Sequence, residues 1–395
     1  MKKLIFIIII FIITNNLFCQ TDSLTNIKRW AYQLQNININ EIASGTSFQL
    51  VVIDYSADGT DIKKISSSQI AQIKNSGKKV LAYISIGETE NYRYYWQSSW
   101  DNNPPVWLGD EDILNPGNYI VQYWSPQWQT IIYGYIDKII QQGFDGIYMK
   151  GIENYYYWMY YDIQNVPADS LMIQFIINIR NHVKSKNKNL EFYLVPQNGE
   201  DIINSENVSF DLVDTYLQTI NGVGVEDIFF GGNLENDNNF KYDSYDVLQL
   251  TEYKLYDVPV FSIEYLTDPA KITKYLHLAD SLNYTPYYCT RALNQLCTNE
   301  PTHVSEKFPE QSQEILAYPN PAKSELILSS NKVFPECLKI EIFNTEGMKI
   351  ESFDYNNMYK QNSIRINIEN LSNGTYIVKK QGDGFDRICK FIIER

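Results

Sequence analysis

Short runs rich in β-branched and aromatic residues alternate with longer helix-like segments over residues 30–291, and this rhythm constrains the fold most. Such alternation is typical of parallel strands joined by crossover helices. Helices are predicted over 67–76 and 128–142, where Gly77 and Gly143 supply C-terminal stops. An α/β (β/α)8 TIM barrel is therefore predicted, with a doubly wound open sheet as the alternative. Its eight strands are predicted at 30–34, 50–55, 79–86, 143–149, 190–196, 212–217, 259–265 and 285–291.

The character of the chain changes after the predicted barrel. We assign residues 21–298 to the barrel, 299–313 to a polar linker and 314–395 to a second domain. The second domain contains short alternating runs separated by turn residues, a pattern that predicts a small all-β sandwich. Its strands are predicted at 325–329, 338–343, 363–368, 374–379 and 387–393.

The first twenty residues have the composition of a secretory signal. Lys2 and Lys3 precede an apolar run over 4–13, which is about half of the ~20 residues that a membrane-spanning helix needs. Residues 1–20 are therefore predicted to be a signal peptide, which leaves no transmembrane anchor in the mature chain. Lipidation of Cys19 is the alternative, although bulky Phe18 precedes this cysteine where lipidation signals prefer a small residue.

Charge and cysteine content restrict the partners of the chain. A formal net charge of −14 argues against nucleic acid, which requires a clustered basic surface, and suits a cationic or neutral ligand. No metal site is predicted, because none of the three histidines lies at ligand spacing from a cysteine. Proximity favours a disulfide between Cys289 and Cys297, and a shared domain favours one between Cys337 and Cys389, with all three pairings open.

Acidic and polar side chains follow the predicted strands. The active site of a β/α barrel lies at the carboxyl ends of its strands, so these residues form the candidate site. Glycoside hydrolysis needs two carboxyl groups, one to protonate the leaving oxygen and one to attack the sugar or activate water. A single acid of this kind is more often a loop charge, and only the clustering indicates catalysis. The group comprises Asp54, Glu88, Glu90, Lys150, Glu153, Gln197, Asn198, Glu200, Glu226, Asp227, Glu264 and Arg291.

Several segments of the barrel match a known family in order along the chain. They are residues 30–35, 52–55, 79–88, 117–119, 123–124, 143–148, 196–200, 225–227 and 262–265. These segments resemble glycoside hydrolase family 114, the endo-α-1,4-polygalactosaminidases. The resemblance implies cleavage of a galactosamine polysaccharide by a TIM barrel, with no metal or organic cofactor. It also implies that Glu226 is one of the two catalytic carboxylates.

One position departs from the family pattern. Lys150 stands where the family has its strand-four aspartate, and Glu153 matches the second acid three positions later. A lysine cannot replace that carboxylate, because it brings positive charge toward an oxocarbenium-like transition state. Either Glu153 or Glu88 has taken over the role, or the barrel binds sugar without cleaving it, or the substrate or reaction has changed.

If the protein is an enzyme, Glu226 and Glu153 are predicted to be the catalytic pair. The predicted substrate-binding residues are Asp54, Glu88, Lys150, Gln197, Asn198, Glu264 and Arg291. Aromatic residues concentrated between 92 and 161 would stack on sugar rings, or alternatively pack beneath the long loops. If the protein only binds sugar, the same residues form a lectin-like groove.

The C-terminal segment resembles the type A sorting domain of type IX secretion substrates. The matching residues lie at 318–322, at 342–344 followed by Gly347, at 371–376 and at 390–391. The resemblance implies that the type IX secretion machinery is a partner and that the protein is secreted or placed on the outer cell surface. A carbohydrate-binding sandwich is the alternative.

Overall fold

The computed structural model describes residues 24–44, 47–113, 115–161, 166–297, 315–330, 334, 337–344, 348–356, 362–381 and 387–395. The predicted signal peptide (1–20) and linker (299–313) lie outside the described residues.

Eight parallel strands alternate with helices in the N-terminal part, as the sequence predicts. The strands are β1 (Trp30–Gln33), β2 (Leu50–Asp54), β3 (Lys79–Ser85), β7 (Gly146–Lys150), β8 (Tyr193–Pro196), β9 (Val223–Glu226), β10 (Val260–Tyr265) and β11 (Thr285–Cys289). The helices are α1 (Ile39–Ala43), α2 (Ser67–Asn75), α3 (Pro126–Gln142), α4 (Tyr155–Tyr160), α5 (Ala168–Lys186), α6 (Phe210–Thr219), α7 (Ser244–Leu255) and α8 (Pro269–Ser281). A small antiparallel sheet is inserted after β3 and consists of β4 (Glu88–Glu90), β5 (Leu108–Glu111) and β6 (Asn118–Val121).

The eight strands form two parallel sheets whose edges meet. One sheet has the order β1-β2-β3-β7-β8 and the other β11-β10-β9. A parallel bridge between Gln197 and Gly224 joins β8 to β9. On the other side, the indole nitrogen of Trp30 donates to the carbonyl oxygen of Thr285 at 2.9 Å, which links β1 to β11. The predicted (β/α)8 barrel is confirmed.

Aromatic side chains fill the barrel. Trp30 lies within 6.2 Å, centroid to centroid, of the rings of Tyr32, Tyr148, Phe261 and Tyr287. All five side chains are buried. Rings of this size fill the interior with few side chains, so the barrel is a packed core and its chemistry is confined to the strand ends.

The predicted sixth strand was wrong. Residues 212–217 belong to helix α6, and the sixth strand is β9. The run Leu-Val-Asp-Thr-Tyr-Leu has the β-branched and aromatic composition of a strand, but its buried residues Val213, Tyr216 and Leu217 follow helical spacing. Ser209 caps the helix by accepting a hydrogen bond from the backbone of Leu212. As a result, Glu226 ends a barrel strand instead of lying in a loop beyond it.

The C-terminal part is the predicted all-β sandwich. Its strands are β12 (Ile315–Tyr318), β13 (Glu325–Ser330), β14 (Cys337–Asn344), β15 (Lys349–Asn356), β16 (Ser363–Asn367), β17 (Gly374–Gln381) and β18 (Arg387–Ile393). They form the antiparallel sheets β12-β13-β16 and β15-β14-β17-β18. Their shared core includes Leu326, Leu328, Ile340, Ile342 and Phe391. The sequence prediction missed β12 and β15; β15 is an edge strand in which Ile350 is exposed, so its apolar pattern is weak.

Within the described ranges, no helix combines the length and the apolar character that crossing a bilayer requires.

Candidate active site

Lys150 ends strand β7, among the acidic residues at the carboxyl ends of the strands. Its ammonium group interacts electrostatically with four carboxyl groups, those of Glu88, Glu226, Glu153 and Glu90. Burial lowers the pKa of Lys150, but the carboxylates outweigh it and raise this pKa above its ordinary value. Lys150 is therefore a permanent positive charge inside an acidic cluster.

Close backbone contact brings the loops after β3 and β7 together. A β-carbon at Gly87 would lie 1.9 Å from the carbonyl oxygen of Gly151, so no larger residue fits at Gly87. Gly151 has φ +81°, a conformation that glycine adopts without strain. This contact places Glu88, which follows Gly87, near Glu153, which follows Gly151.

Glu226 is held by two side chains. The amide nitrogen of Asn198 donates to its Oε1 at 3.0 Å, and the hydroxyl of Tyr265 donates to its Oε2. The backbone nitrogen of Glu226 also donates to Asn198 Oδ1 at 3.2 Å. Burial, followed by the charge of Glu226, raises the pKa of Tyr265 above its ordinary value, so this phenol remains a donor. The carboxylate of Glu226 is therefore held in one orientation by hydrogen bonds to both of its oxygens.

Glu153 has a different environment. It lies in a short 3-10 turn, Ile152–Asn154, and its Oε2 is buried without a hydrogen-bond partner among the described residues. Burial raises the pKa of its carboxyl group to about 7, against the lowering effect of Lys150. Near neutral pH this carboxyl group can carry a proton, as a general acid requires.

Glu88 is oriented by two amides. The Nδ2 atoms of Asn118 and Asn154 each donate to its carboxylate at 3.2 Å. The same Asn154 nitrogen donates to the carbonyl oxygen of Gly87 at 3.1 Å. Glu88 therefore lies beside Lys150 as an ordered negative charge.

Asp54 is engaged in a buried ion-pair network. Arg93 Nη1 lies 2.9 and 2.8 Å from its two oxygens, and Arg93 Nε lies 2.5 Å from Glu90 Oε2. Burial raises the pKa of Asp54 to about 6, although Arg93 acts to lower it. Burial also acts to raise the pKa of Glu90, but Arg93 and Tyr92 leave it below its ordinary value. Asp54, which was predicted to bind sugar, is thus paired with the guanidinium group of Arg93. The sequence analysis did not predict a role for Arg93.

Glu264 faces away from the cluster. Ser262, two residues earlier in β10, contacts the hydroxyl of Tyr275 in α8 at 2.8 Å, so this face of the strand points to the helices. Glu264 accepts hydrogen bonds from the backbone nitrogens of Phe229 at 2.7 Å and Phe230 at 3.1 Å. It fixes the loop that follows Glu226.

Two further predicted residues lie at the edge of the cluster. Gln197 is buried in the barrel, with its Oε1 3.5 Å from the hydroxyl of Tyr32. Arg291 pairs with Asp227 at 2.7 Å, and its guanidinium group lies 4.0 Å from the ring centre of Tyr265. The cluster therefore brings together Glu226, Glu153, Glu88, Lys150 and Asn198. No group of histidine, cysteine, aspartate and glutamate in the described ranges is arranged to hold a metal ion.

Cys289 and Cys297 form a disulfide, with their α-carbons 5.6 Å apart. It closes the loop that contains Arg291. The side chains of Cys337 and Cys389 lie outside the described part of the structure.

Removing this bond by the double substitution Cys289→Ser and Cys297→Ser is expected to lower the free energy of unfolding by about 2–3 kcal/mol, because the short loop gains entropy in the unfolded chain. Urea unfolding followed by tryptophan fluorescence reports on the barrel alone, since all seven tryptophans lie there. Adding a reductant should destabilise the unmodified protein and leave the double variant unchanged. Equal responses of the two proteins would contradict the expectation.

Comparisons with known proteins agree with this architecture. Residues 15–303 match the model of glycoside-hydrolase family GH114, and residues 316–394 match a secretion system C-terminal sorting domain. An uncharacterized protein of Methanocaldococcus jannaschii, MJ1477, is 44% identical over 219 residues, which cover 53% of this chain and 61% of that relative. The chain thus spans less than two thirds of the length of this relative.

Two solved structures share the fold at low sequence identity. Aspergillus fumigatus Ega3, solved in complex with galactosamine, superposes with a TM-score of 0.51 at 17% identity, covering 70% of this chain and 97% of Ega3. The glycoside hydrolase domain of PelA from Pseudomonas aeruginosa gives 0.50 at 14% identity, covering 68% and 97% of the two chains. With the family model matched over the whole barrel, the chain belongs to glycoside-hydrolase family GH114 and carries a secretion system C-terminal sorting domain.

Proposed function

We propose that this protein hydrolyses an amino-sugar polysaccharide outside the cell, with Glu226 and Glu153 as its catalytic pair. The observation that carries the proposal is the contrast between these two carboxyl groups around Lys150. Glu226 accepts a hydrogen bond on each carboxylate oxygen, one from Asn198 and one from Tyr265. Glu153 is buried with a pKa of about 7 and an unpaired oxygen. Two carboxyl groups with opposed environments are typical of glycosidases.

The roles follow from these environments. Glu153 would protonate the leaving glycosidic oxygen, while Glu226 would attack the anomeric carbon or activate water. The positive charge of Lys150 is opposed by the charges of several carboxylates, those of Glu88 and Glu90 among them. A negative site favours both the positive charge that develops in the transition state and the protonated amines of a substrate.

The substrate we propose is a partly deacetylated α-1,4-linked galactosamine polymer. Three observations support it: the family assignment, the galactosamine bound to Ega3 in a structure of the same fold, and the net charge of −14. No metal or organic cofactor is required by this chemistry.

The sorting domain supports a secreted or cell-surface location. We propose that the signal peptide at 1–20 directs export across the inner membrane and that the type IX machinery then recognises the C-terminal domain. The enzyme would meet its polymer in the extracellular matrix.

Lys150 favours a second candidate function, polysaccharide binding without cleavage. Its ammonium group has no neutral form near pH 7, because its pKa is raised. Positive charge close to the anomeric carbon opposes an oxocarbenium-like transition state.

Reducing-end release from partly deacetylated α-1,4-galactosaminan distinguishes the two functions. The purified protein and its Lys150→Asp variant are assayed for release and, in parallel, for binding to the polymer. Release by the unmodified protein supports hydrolysis. Release by Lys150→Asp alone, with binding by both, would contradict hydrolysis and support the binding function. Neither release nor binding would contradict both.

The pH dependence of kcat/KM tests the role of Glu153. Activity is expected to fall with rising pH above about 7, because the carboxyl group then loses the proton that it donates. The ammonium group of Lys150 lowers this pKa, so Lys150→Met should move the alkaline limb upward by about one pH unit. Substituting the exposed Glu206 by Gln serves as the control and should leave the limb in place. A limb that stays fixed in Lys150→Met would show that another group donates the proton.

A further inference from the structure

A cavity lies on the far side of the sheet β4-β6-β5 from Lys150. Residues paired directly across antiparallel strands share a face, and successive residues alternate between faces. Asn118 contacts Glu88, which places this face toward the candidate active site. Tyr119 pairs with Thr89 and therefore points to the opposite face.

Aromatic rings form the walls of this cavity. Its volume is about 560 Å³, and its lining includes Trp96, Trp100, Tyr119 and Trp158. Gly109 forms part of its floor, where a β-carbon would lie 2.9 Å from the carbonyl oxygen of Ile120 and 3.3 Å from the ring of Trp158. Because Gly109 has no side chain, this part of the cavity is not filled. The volume falls within the ~300–1,000 Å³ that ligand pockets usually have.

The two partly exposed rings, Trp96 and Tyr119, form a rigid platform. They stack with centroids 5.2 Å apart and planes at 28°. Trp96 packs nearly perpendicular to Trp100, with the ring centroids 5.2 Å apart, and Trp100 in turn packs on buried Trp107 at 5.1 Å. Because packing fixes these rings, a ligand would lose little entropy in ordering them. Each ring uses one face in this stack, so the apolar face of a sugar ring would pack against the ring surfaces that remain exposed.

Two carboxylates border the platform. Asp101 accepts a hydrogen bond from the indole nitrogen of Trp96 at 3.3 Å, and Asp110 accepts one from the hydroxyl of Tyr157 at 2.6 Å. Both are exposed, and the described residues that line the cavity include no lysine, arginine or histidine. The rim is therefore negative. It suits a cationic ligand and repels an acidic polysaccharide.

We propose that this groove, lined by Trp96, Trp100, Tyr119, Trp158, Asp101 and Asp110, is a second polysaccharide-binding site that holds hexosamine units with free amino groups. The ligand class rests on the proposed function. The rings hold the sugar faces and the two carboxylates pair with protonated amines. A polymer held here would be retained on the enzyme between cleavage events, because the groove and the active site share one small sheet.

The test uses the purified Glu226→Gln protein, which binds without turnover, and two α-1,4-galactosamine tetrasaccharides, one fully deacetylated and one fully N-acetylated. Titration calorimetry is expected to show two binding events for the deacetylated probe. Tyr119→Ala should weaken one event by about tenfold for both probes. Asp101→Asn with Asp110→Asn should weaken it roughly fivefold to tenfold for the deacetylated probe only, and less in high salt.

The paired asparagine substitutions keep the acceptor oxygens that Trp96 and Tyr157 use, so they remain informative if Tyr119→Ala fails to fold. Binding of both probes that is unchanged in all groove variants, or a single event in the parent protein, would overturn the second site. Groove binding without reducing-end release by the protein with Glu226 intact would contradict hydrolysis and leave the groove standing. Release of reducing ends without groove-dependent binding would support hydrolysis and overturn the second site.

Discussion

The Glu226→Gln protein is expected to release reducing ends from partly deacetylated α-1,4-galactosaminan about a thousandfold more slowly than the unmodified protein, or slower still. Glutamine has nearly the same shape as glutamate but can neither attack the anomeric carbon nor take a proton from water. The one oxygen of the glutamine can accept a hydrogen bond from Tyr265 or from Asn198, but not from both. The loss should therefore appear in kcat, with little change in polymer binding.

A matched control separates this effect from a general loss of negative charge. Glu206→Gln makes the same chemical change at an exposed position outside the cluster and should leave kcat and KM unchanged. Both variants should unfold within about 1 kcal/mol of the unmodified protein, since each loses at most one hydrogen bond. Full activity in Glu226→Gln would exclude Glu226 as a catalytic group. Glu88, the other ordered carboxylate beside Lys150, would then be the next candidate for this role.

The sequence predicted the location of residues correctly where that location depends only on their position at the end of a barrel strand. The carboxyl ends of parallel strands meet at one edge, so residues such as Glu226 and Lys150 could be placed together from the strand pattern alone. Glu264 shows the limit of this reasoning. It is the next-to-last residue of a barrel strand, and because side chains alternate along a strand, it points toward the helices while its neighbour Tyr265 reaches the site.

The residues that the sequence did not reveal act through contacts between distant segments. Arg93 follows β4, a strand of the inserted sheet, so no barrel strand marks its position. Tyr265 ends a predicted strand, but its contact with Glu226 depends on the relative register of β9 and β10. The misassigned sixth strand had a different, local origin, because its composition favoured a strand while the spacing of the buried residues in α6 was helical.

Arg93→Met is expected to lower the free energy of unfolding by about 3–5 kcal/mol at pH 8, because it leaves Asp54 and Glu90 buried without their cation. Methionine retains much of the apolar volume of the arginine stem, so packing loss is a minor part of this cost. Without Arg93, the folded-state pKa of both carboxyl groups rises. A buried carboxyl group with a raised folded-state pKa is tolerated in its neutral form at low pH, and it destabilises the fold as pH rises and the group ionises. The cost of the substitution should therefore shrink toward pH 5.

Urea unfolding followed by tryptophan fluorescence at pH 5 and pH 8 measures this cost in the barrel. Lys138→Met is the matched control, because Lys138 pairs with Asp61 at 2.6 Å in a partly exposed ion pair of the barrel, where the same fluorescence reports unfolding. That substitution should cost less than about 1 kcal/mol and show little pH dependence. A loss in Arg93→Met that is equally large at both pH values would mean that packing around Arg93, and not its charge, supports this side of the site. A loss that shrinks toward pH 5 would instead show that Arg93 keeps two buried carboxylates ionised behind the candidate active site.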